Sequence, residues 1–350
     1  MDRVRLCLAV LMLFAAPACA NSVAQERVEG RLIDLRGDLA ADVAVAAGWT
    51  NPHAADIAAC RWDDVPGATL IGTIRAGVLI LSRNNATAEP SAKILRTTDG
   101  AVLQDAAGIG LGTSTGLDIT GLVGLSEILE MEVRFFGVNA WKASRVATDP
   151  DPLQFSGFGV TLPGQSEQID YSSRLCNIEV NARPRVVGGI PLILGFRSLQ
   201  LHERFDVWRL DPQDGTPGLD AHTHNFLYGA QVGVEPSFFG GESALTLEGL
   251  AKAGVYANCS SQSASSPLLG EGAEAKRNRT VFVGELGLIV DYRFSQSFAL
   301  RAGYELLWIS GVALAPNQSP TTDLGVPLAT LNASGSALYQ GVMASLEFMF

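Results

Sequence analysis

The chain has 350 residues, 47% of them hydrophobic and only 17% charged, with 37 glycines and a formal charge of −11. That acidic balance excludes nucleic acid as a partner, because a phosphate backbone is met by a basic footprint. Five widely spaced cysteines exclude a disulfide framework and a CxxC metal pair.

In chain order, residues 1–20 read as a cleavable export signal. Arg3 and Arg5 precede an apolar run from Leu6 to Ala16, and Ala18-Cys19-Ala20 offers a small-x-small cleavage site. The run is shorter than the roughly 20 residues of a membrane helix, and no later segment supplies such a stretch. Removal of the signal leaves 23 basic and 35 acidic side chains, a charge of −12, and three cysteines, Cys60, Cys176 and Cys259, whose pairing the sequence leaves open. Residues 21–69 hold Arg31-Leu32-Ile33-Asp34-Leu35-Arg36 and an Ala/Val/Asp-rich stretch, compatible with a periplasmic segment, a plug or an extra strand pair.

From residue 70 onward the period is two. The clearest segment is Val281 to Phe294, where Phe282, Leu286, Leu288, Val290, Tyr292 and Phe294 share one face and Glu285, Asp291 and Arg293 the other. After Ser295-Gln296-Ser297 the rhythm resumes, with Phe298, Leu300, Ala302, Tyr304, Leu306 and Trp308 set against Arg301 and Glu305. Cys176-Ile178-Val180-Ala182 likewise opposes Glu179 and Arg183, Phe226 to Val234 opposes Gln231 and Glu235, and Leu245 to Val255 opposes Glu248 and Lys252.

Strands are expected near 70–82, 112–123, 129–141, 170–183, 189–203, 224–236, 242–257, 280–294, 297–309 and 336–350. Short turns then alternate with long polar connections near 83–111, 142–169, 204–223, 258–279 and 310–335. Placing every long loop at one end is the habit of an outer-membrane barrel. A soluble sandwich, the architecture of a secreted adhesive β-protein, has no reason for it. The expected fold is an all-β antiparallel transmembrane barrel over residues 70–350, of about ten strands, or twelve if 21–69 adds a pair. Val342, Ala344, Leu346, Phe348 and Phe350 alternate to a terminal phenylalanine, the kind of last strand that barrel-assembly machinery recognises.

Two blocks, Ile193-Leu194-Gly195-Phe196-Arg197-Ser198-Leu199-Gln200-Leu201-His202-Glu203-Arg204-Phe205 and Asn225 to Gly233, resemble those of the β-barrel porin family 7 of planctomycete-type bacteria. So do Arg301 to Trp308, Gly311-Val312-Ala313-Leu314-Ala315-Pro316 and Tyr339-Gln340-Gly341; in place of an aromatic-rich first strand this chain has Arg75 to Leu81. The resemblance spans Thr73 to Phe350 and implies an outer-membrane barrel.

The lumen candidates are Glu179, Arg183, Glu235, Glu248, Lys252, Glu285, Asp291, Arg293, Arg301 and Glu305. In a narrow barrel, pairs such as Asp291 or Glu285 with Arg301 fill the lumen; in a wide one the acidic surplus favours small solutes or cations. His202, His222 and His224, with Asp206 and Asp220, are the rim groups that a membrane hydrolase would use. His222-Thr223-His224 puts two imidazoles on one side of a strand, short of a metal set. Gly108-Ile109-Gly110-Leu111-Gly112 lacks the spacing of a phosphate loop. The expectation is a porin-like or envelope-structural barrel of a bacterial outer membrane, non-enzymatic, with no cofactor or metal. Its expected partners are membrane lipid, the assembly machinery during biogenesis and small solutes if the lumen is open.

Overall fold

The computed structural model describes residues 72–85, 92–126, 128–155, 158–184, 191–210, 215–239, 243–266, 271–323 and 328–350. The expected signal, the segment 21–69 and Cys60 lie outside them.

Alternating hydropathy over these residues forms ten long antiparallel strands. They are β1 (Gly72–Asn85), β2 (Thr113–Ser126), β3 (Leu129–Thr148), β4 (Ser166–Pro184), β5 (Leu192–Leu210), β6 (Gly215–Val234), β7 (Leu245–Ser266), β8 (Glu271–Arg293), β9 (Phe298–Val312) and β10 (Gly335–Met349). Each pairs with its neighbours in sequence. β1 then pairs with β10 from Thr73↔Met349 to Asn85↔Ala337, which closes the sheet into a barrel and leaves no edge along the seam. Gly72 and Phe350 exchange reciprocal backbone hydrogen bonds of 2.9 Å at its lower end.

The lower part of the wall is inverted relative to a soluble protein. Leu194, Phe196, Val232, Leu286, Leu288, Leu300 and Leu346 point outward and are 46–58% exposed, whereas Glu179, Arg197 and Glu285 point inward and are at most 2% exposed. Higher on the same strands the pattern reverses. Tyr171, Phe205, Val207, Leu219 and Ala221 turn into the barrel and are buried, and Asp170, Arg204, Asp206, Asp220 and His222 face out. The switch falls at one level, where Arg174, His202 and His224 face each other in register on β4, β5 and β6.

The polar connections expected at 142–169, 204–223 and 258–279 are therefore largely strand. β3 to β8 run on for 19 to 23 residues each. Polar side chains on the outer face mimic a loop in sequence, while the backbone ladder continues unbroken from β8 to β7 as far as Ser266↔Glu271. β9, β10, β1 and β2 are shorter, at 14 or 15 residues.

Three connections fill the upper barrel instead of projecting from it. Lys93–Arg96, Val102–Asp105, Leu153–Phe155 and Phe158–Val160 make a small second sheet. Its Ile94, Leu153 and Phe155 join Leu79, Trp141, Tyr171, Phe205 and Tyr339 in the main apolar core. The 313–334 connection, expected as an extracellular loop, turns inward through short 3-10 turns at Ala315–Asn317 and Ser319–Thr321, with Leu314 and Ala315 fully buried.

Candidate functional site

A passage or a binding site in a barrel is built by what faces inward. In the lower half, β2 to β9 contribute to one connected lattice of ion pairs and hydrogen bonds, and β1 and β10 add a separate pair. β3 carries Arg134, whose guanidinium reaches Asp118 of β2 at 2.6 Å, Glu285 of β8 at 2.9 Å and Glu305 of β9 at 2.9 Å. β3 is not adjacent to β8 or β9 in the wall, so these contacts cross the lumen. Arg197 of β5 joins Glu179 of β4 at 2.6 Å and also bonds Glu285. Lys252 of β7 holds the same two carboxylates at 3.0 and 3.2 Å.

Gln231 of β6 continues the lattice, donating to Glu179 and to Asn181 Oδ1 at 2.7 Å each, and Asn181 donates to Glu132 at 2.8 Å. Arg183 bonds both Glu132 and Glu235. Arg301 of β9 takes Glu235 at 2.7 Å, Glu248 at 2.9 Å and its direct register partner Asp291 at 2.6 Å. Arg75 of β1 pairs with Glu347 of β10 across the seam. Ions removed from water need such partners, and a guanidinium fork serves two or three carboxylates at once. Within it lies a cavity of about 40 Å³ lined by residues that include Arg75, Thr120, Arg134, Lys252, Glu305 and Ser345, room for about two or three waters.

Of the expected lumen residues, Glu179, Arg183, Glu235, Lys252, Glu285, Arg301 and Glu305 are buried in this lattice. Glu248 and Asp291 hold its lower end, with side chains 24% and 16% exposed. Glu285 pairs with Arg134, Arg197 and Lys252 rather than with Arg301. Arg293 is exposed at the end of β8 and donates to Met349 Sδ at 3.7 Å. Asp118, Glu132, Arg134 and Arg197 escaped the sequence reading, although Glu132 and Arg134 sit at the even spacing of Glu130-Met131-Glu132-Val133-Arg134 that marks one strand face.

In the upper lumen, inward polar groups tie the described parts of the connections to the wall. Asn225 donates to Ala313 O and accepts from Ala313 N–H, both at 2.7 Å, imitating a ladder pair. Asn258 donates to Gly311 O at 3.1 Å. Arg83 forms a fully buried ion pair with Glu203, whose other oxygen accepts from Ala315 N–H at 2.8 Å, and Arg83 also donates to the Tyr171 hydroxyl at 3.0 Å. Ala92 N–H closes onto Pro316 O at 2.9 Å.

The histidines sit elsewhere. His202, His222 and His224 lie on the outer face of the wall, not in a cleft. His202 and His224 contact through their Nδ1 atoms at 2.7 Å. Burial, then His224 and Arg174, hold His202 down at about 4. His222 Nε2 meets Asp220 at 2.7 Å, and Arg204 bridges Asp206 and Asp220 at 2.8 and 3.0 Å, making an exposed surface cluster. Among the described residues no three His, Cys, Asp or Glu side chains are placed to hold a metal ion. Cys176 is disulfide-bonded, and Cys259 is free and exposed.

No protein-family model and no curated protein matches the chain, so the expected resemblance to porin family 7 is not confirmed. Solved structures do match. The chain is similar to the outer membrane protease OmpT from Escherichia coli at 8% identity and a TM-score of 0.48, covering 79% of this chain and 97% of that one. It is similar to the translocator domain of autotransporter NalP from Neisseria meningitidis at 9% identity, with 88% and 97% covered and a TM-score of 0.38. A third is the outer membrane protein OprG from Pseudomonas aeruginosa, at 12% identity, 80% and 95% covered and a TM-score of 0.27. Identities and scores this low carry no activity over to this chain.

Proposed function

We propose that this chain is a bacterial outer-membrane barrel with an envelope-structural role, its lumen closed by its own side chains rather than kept open for diffusion. The observation that carries the reading is the lattice across the lower lumen, where Arg134 links β3 to β8 and β9 through groups no more than 8% exposed. An open pore needs a continuous wet path, and charges so deeply buried and mutually paired argue against one. Lipid exposure of the wall is supported by the inverted lower segment. From Tyr292 to Phe282 the outward apolar run of β8 spans ten residue steps, about 33 Å along the strand and about 25 Å once tilted, close to a hydrocarbon core. Aromatic rings flank it, with Phe226, Tyr228, Phe282 and Trp308 above and Phe294, Phe298 and Phe348 below.

In the same reading Val342, Ala344, Leu346 and Phe348 form the outward face of the last strand, with the Phe350 ring beside Gly72 at the seam. That is the face the assembly machinery would meet. The test is detergent-solubilised protein on a gel with and without boiling, followed by planar-bilayer recording. A band that shifts on heating, with no stable channels, is expected. Stable channels would replace the structural role with a porin role, and absence of the heat shift would retire the membrane barrel altogether.

A further inference from the structure

Among the described residues, one stretch of the outer wall has no strand beside β8 on the β9 side. β9 ends at Val312 and the chain turns into the barrel at Gly311, whose φ of +71° is a left-handed value suited to glycine, whereas β8 continues upward to Glu271. At this step the Ser310 hydroxyl donates to Phe282 O at 3.0 Å and accepts from Phe282 N–H at 3.2 Å. It thereby takes both backbone groups that a ladder partner would have used.

The step leaves a groove of about 490 Å³ at the upper margin of the apolar belt. Its lower wall includes Val255, Phe282 and Trp308, which are 57%, 40% and 38% exposed, with the two aromatic ring centroids 5.9 Å apart. Its upper wall includes Arg279 and Ser334. Arg279 is steadied by donating Nη1 to Ala333 O at 2.8 Å, and it is exposed. Lys276, Arg277 and Arg279 give three cations in four residues, against Glu271 and Glu274 earlier on the same strand, in a chain whose net charge is −11.

We propose that this groove binds a membrane lipid with a net-anionic phosphate headgroup, acyl chain against Val255, Phe282 and Trp308, phosphate against Arg279. The reading rests on the lipid-facing belt proposed above. An apolar trough that ends in a guanidinium, at the height where hydrocarbon gives way to water, fits both ends of such a molecule. The planar fork of Arg279 matches phosphate oxygens.

The test uses full-length protein folded in a zwitterionic, phosphate-free detergent and first shown to shift on heating. Dioleoylphosphatidylglycerol and dioleoylphosphatidylcholine are titrated in, and bound lipid is counted by native mass spectrometry. One phosphatidylglycerol retained with about tenfold preference is expected. Arg279→Gln should bring that preference close to one, and Trp308→Ala should weaken retention of both lipids. Arg279→Lys should keep part of the preference, and millimolar inorganic phosphate should not displace the lipid. Equal retention of the two lipids, or a preference unchanged in Arg279→Gln, overturns the proposal; displacement by phosphate reduces it to a bare anion site and overturns the lipid assignment. Loss of the heat shift in the unaltered protein would instead count against the membrane barrel, so the two failures are distinguishable.

Discussion

Replacing Arg134 with Met removes one cation from beneath three carboxylates while keeping most of the side-chain volume. Glu285 retains Arg197 and Lys252, but Arg134 is the ion-pair partner of both Asp118 and Glu305, whose side chains are 7% and 8% exposed. Breaking a buried pair from one side costs about 3–5 kcal/mol, because an uncompensated charge is left behind. With a urea slope of about 2–3 kcal/mol/M, the unfolding midpoint in detergent should fall by roughly 1–2.5 M. Adding Asp118→Asn and Glu305→Gln to Arg134→Met removes the stranded charges and should recover most of the loss. The shift between folded and unfolded gel bands across a urea series measures all three proteins. A single variant within about 1 kcal/mol of the parent, or a triple variant no better than the single, would refute the view that this lattice is held by desolvated pairing.

Other outcomes follow from the same geometry. Arg134→Ala combined with Arg197→Ala removes two of the three cations that meet at Glu285, so stable conductance should appear in planar bilayers where the parent shows none. His202 should stay neutral until pH falls to about 4; since the unfolded imidazole takes its proton near 6.5, stability is lost as pH drops from about 6.5 to 4. An NMR titration of the His202 ring checks the value, and a pH midpoint near 6.5 would contradict it. Gly311→Ala places a Cβ 2.6 Å from Val281 Cγ1 at a φ of +71°. It should cost at least about 1–2 kcal/mol by the same urea assay. Asn225→Ala removes both hydrogen bonds to Ala313 and should expose the 313–334 connection to elastase while leaving the heat shift intact.

The lower barrel was legible because lipid and lumen demand opposite chemistry on alternate residues, so Phe282 to Phe294 and Phe298 to Trp308 declare their strands and their faces. The upper strands were not. Beyond His202 the outward residues become polar, and Arg204, Asp206 and Asp220 look like a loop when read by composition. Parity holds a better clue. On β5 the even-numbered residues Leu194 and Phe196 face outward, and continuing that count puts His202 on the outer wall instead of in a catalytic cleft. The charges were visible, but their partners were not. Arg134 and Glu305 are 171 residues apart, and strand spacing alone does not say which side chains meet across a lumen. Nor does any local pattern in Gly311 to Pro316 tell an extracellular loop from one drawn into the barrel by Asn225 and Glu203.

The reversal of faces at Arg174, His202 and His224 also works as a depth gauge. In a bilayer, sinking the barrel by one outward residue per strand, about 5 Å along the membrane normal after tilt, would press those polar groups into hydrocarbon. Raising it by the same step would carry Phe226 and Phe282 into the headgroups and draw the lower aromatic row up into the hydrocarbon. Each displacement is opposed on several strands at once, so the chain carries in its side-chain alternation the height at which it floats.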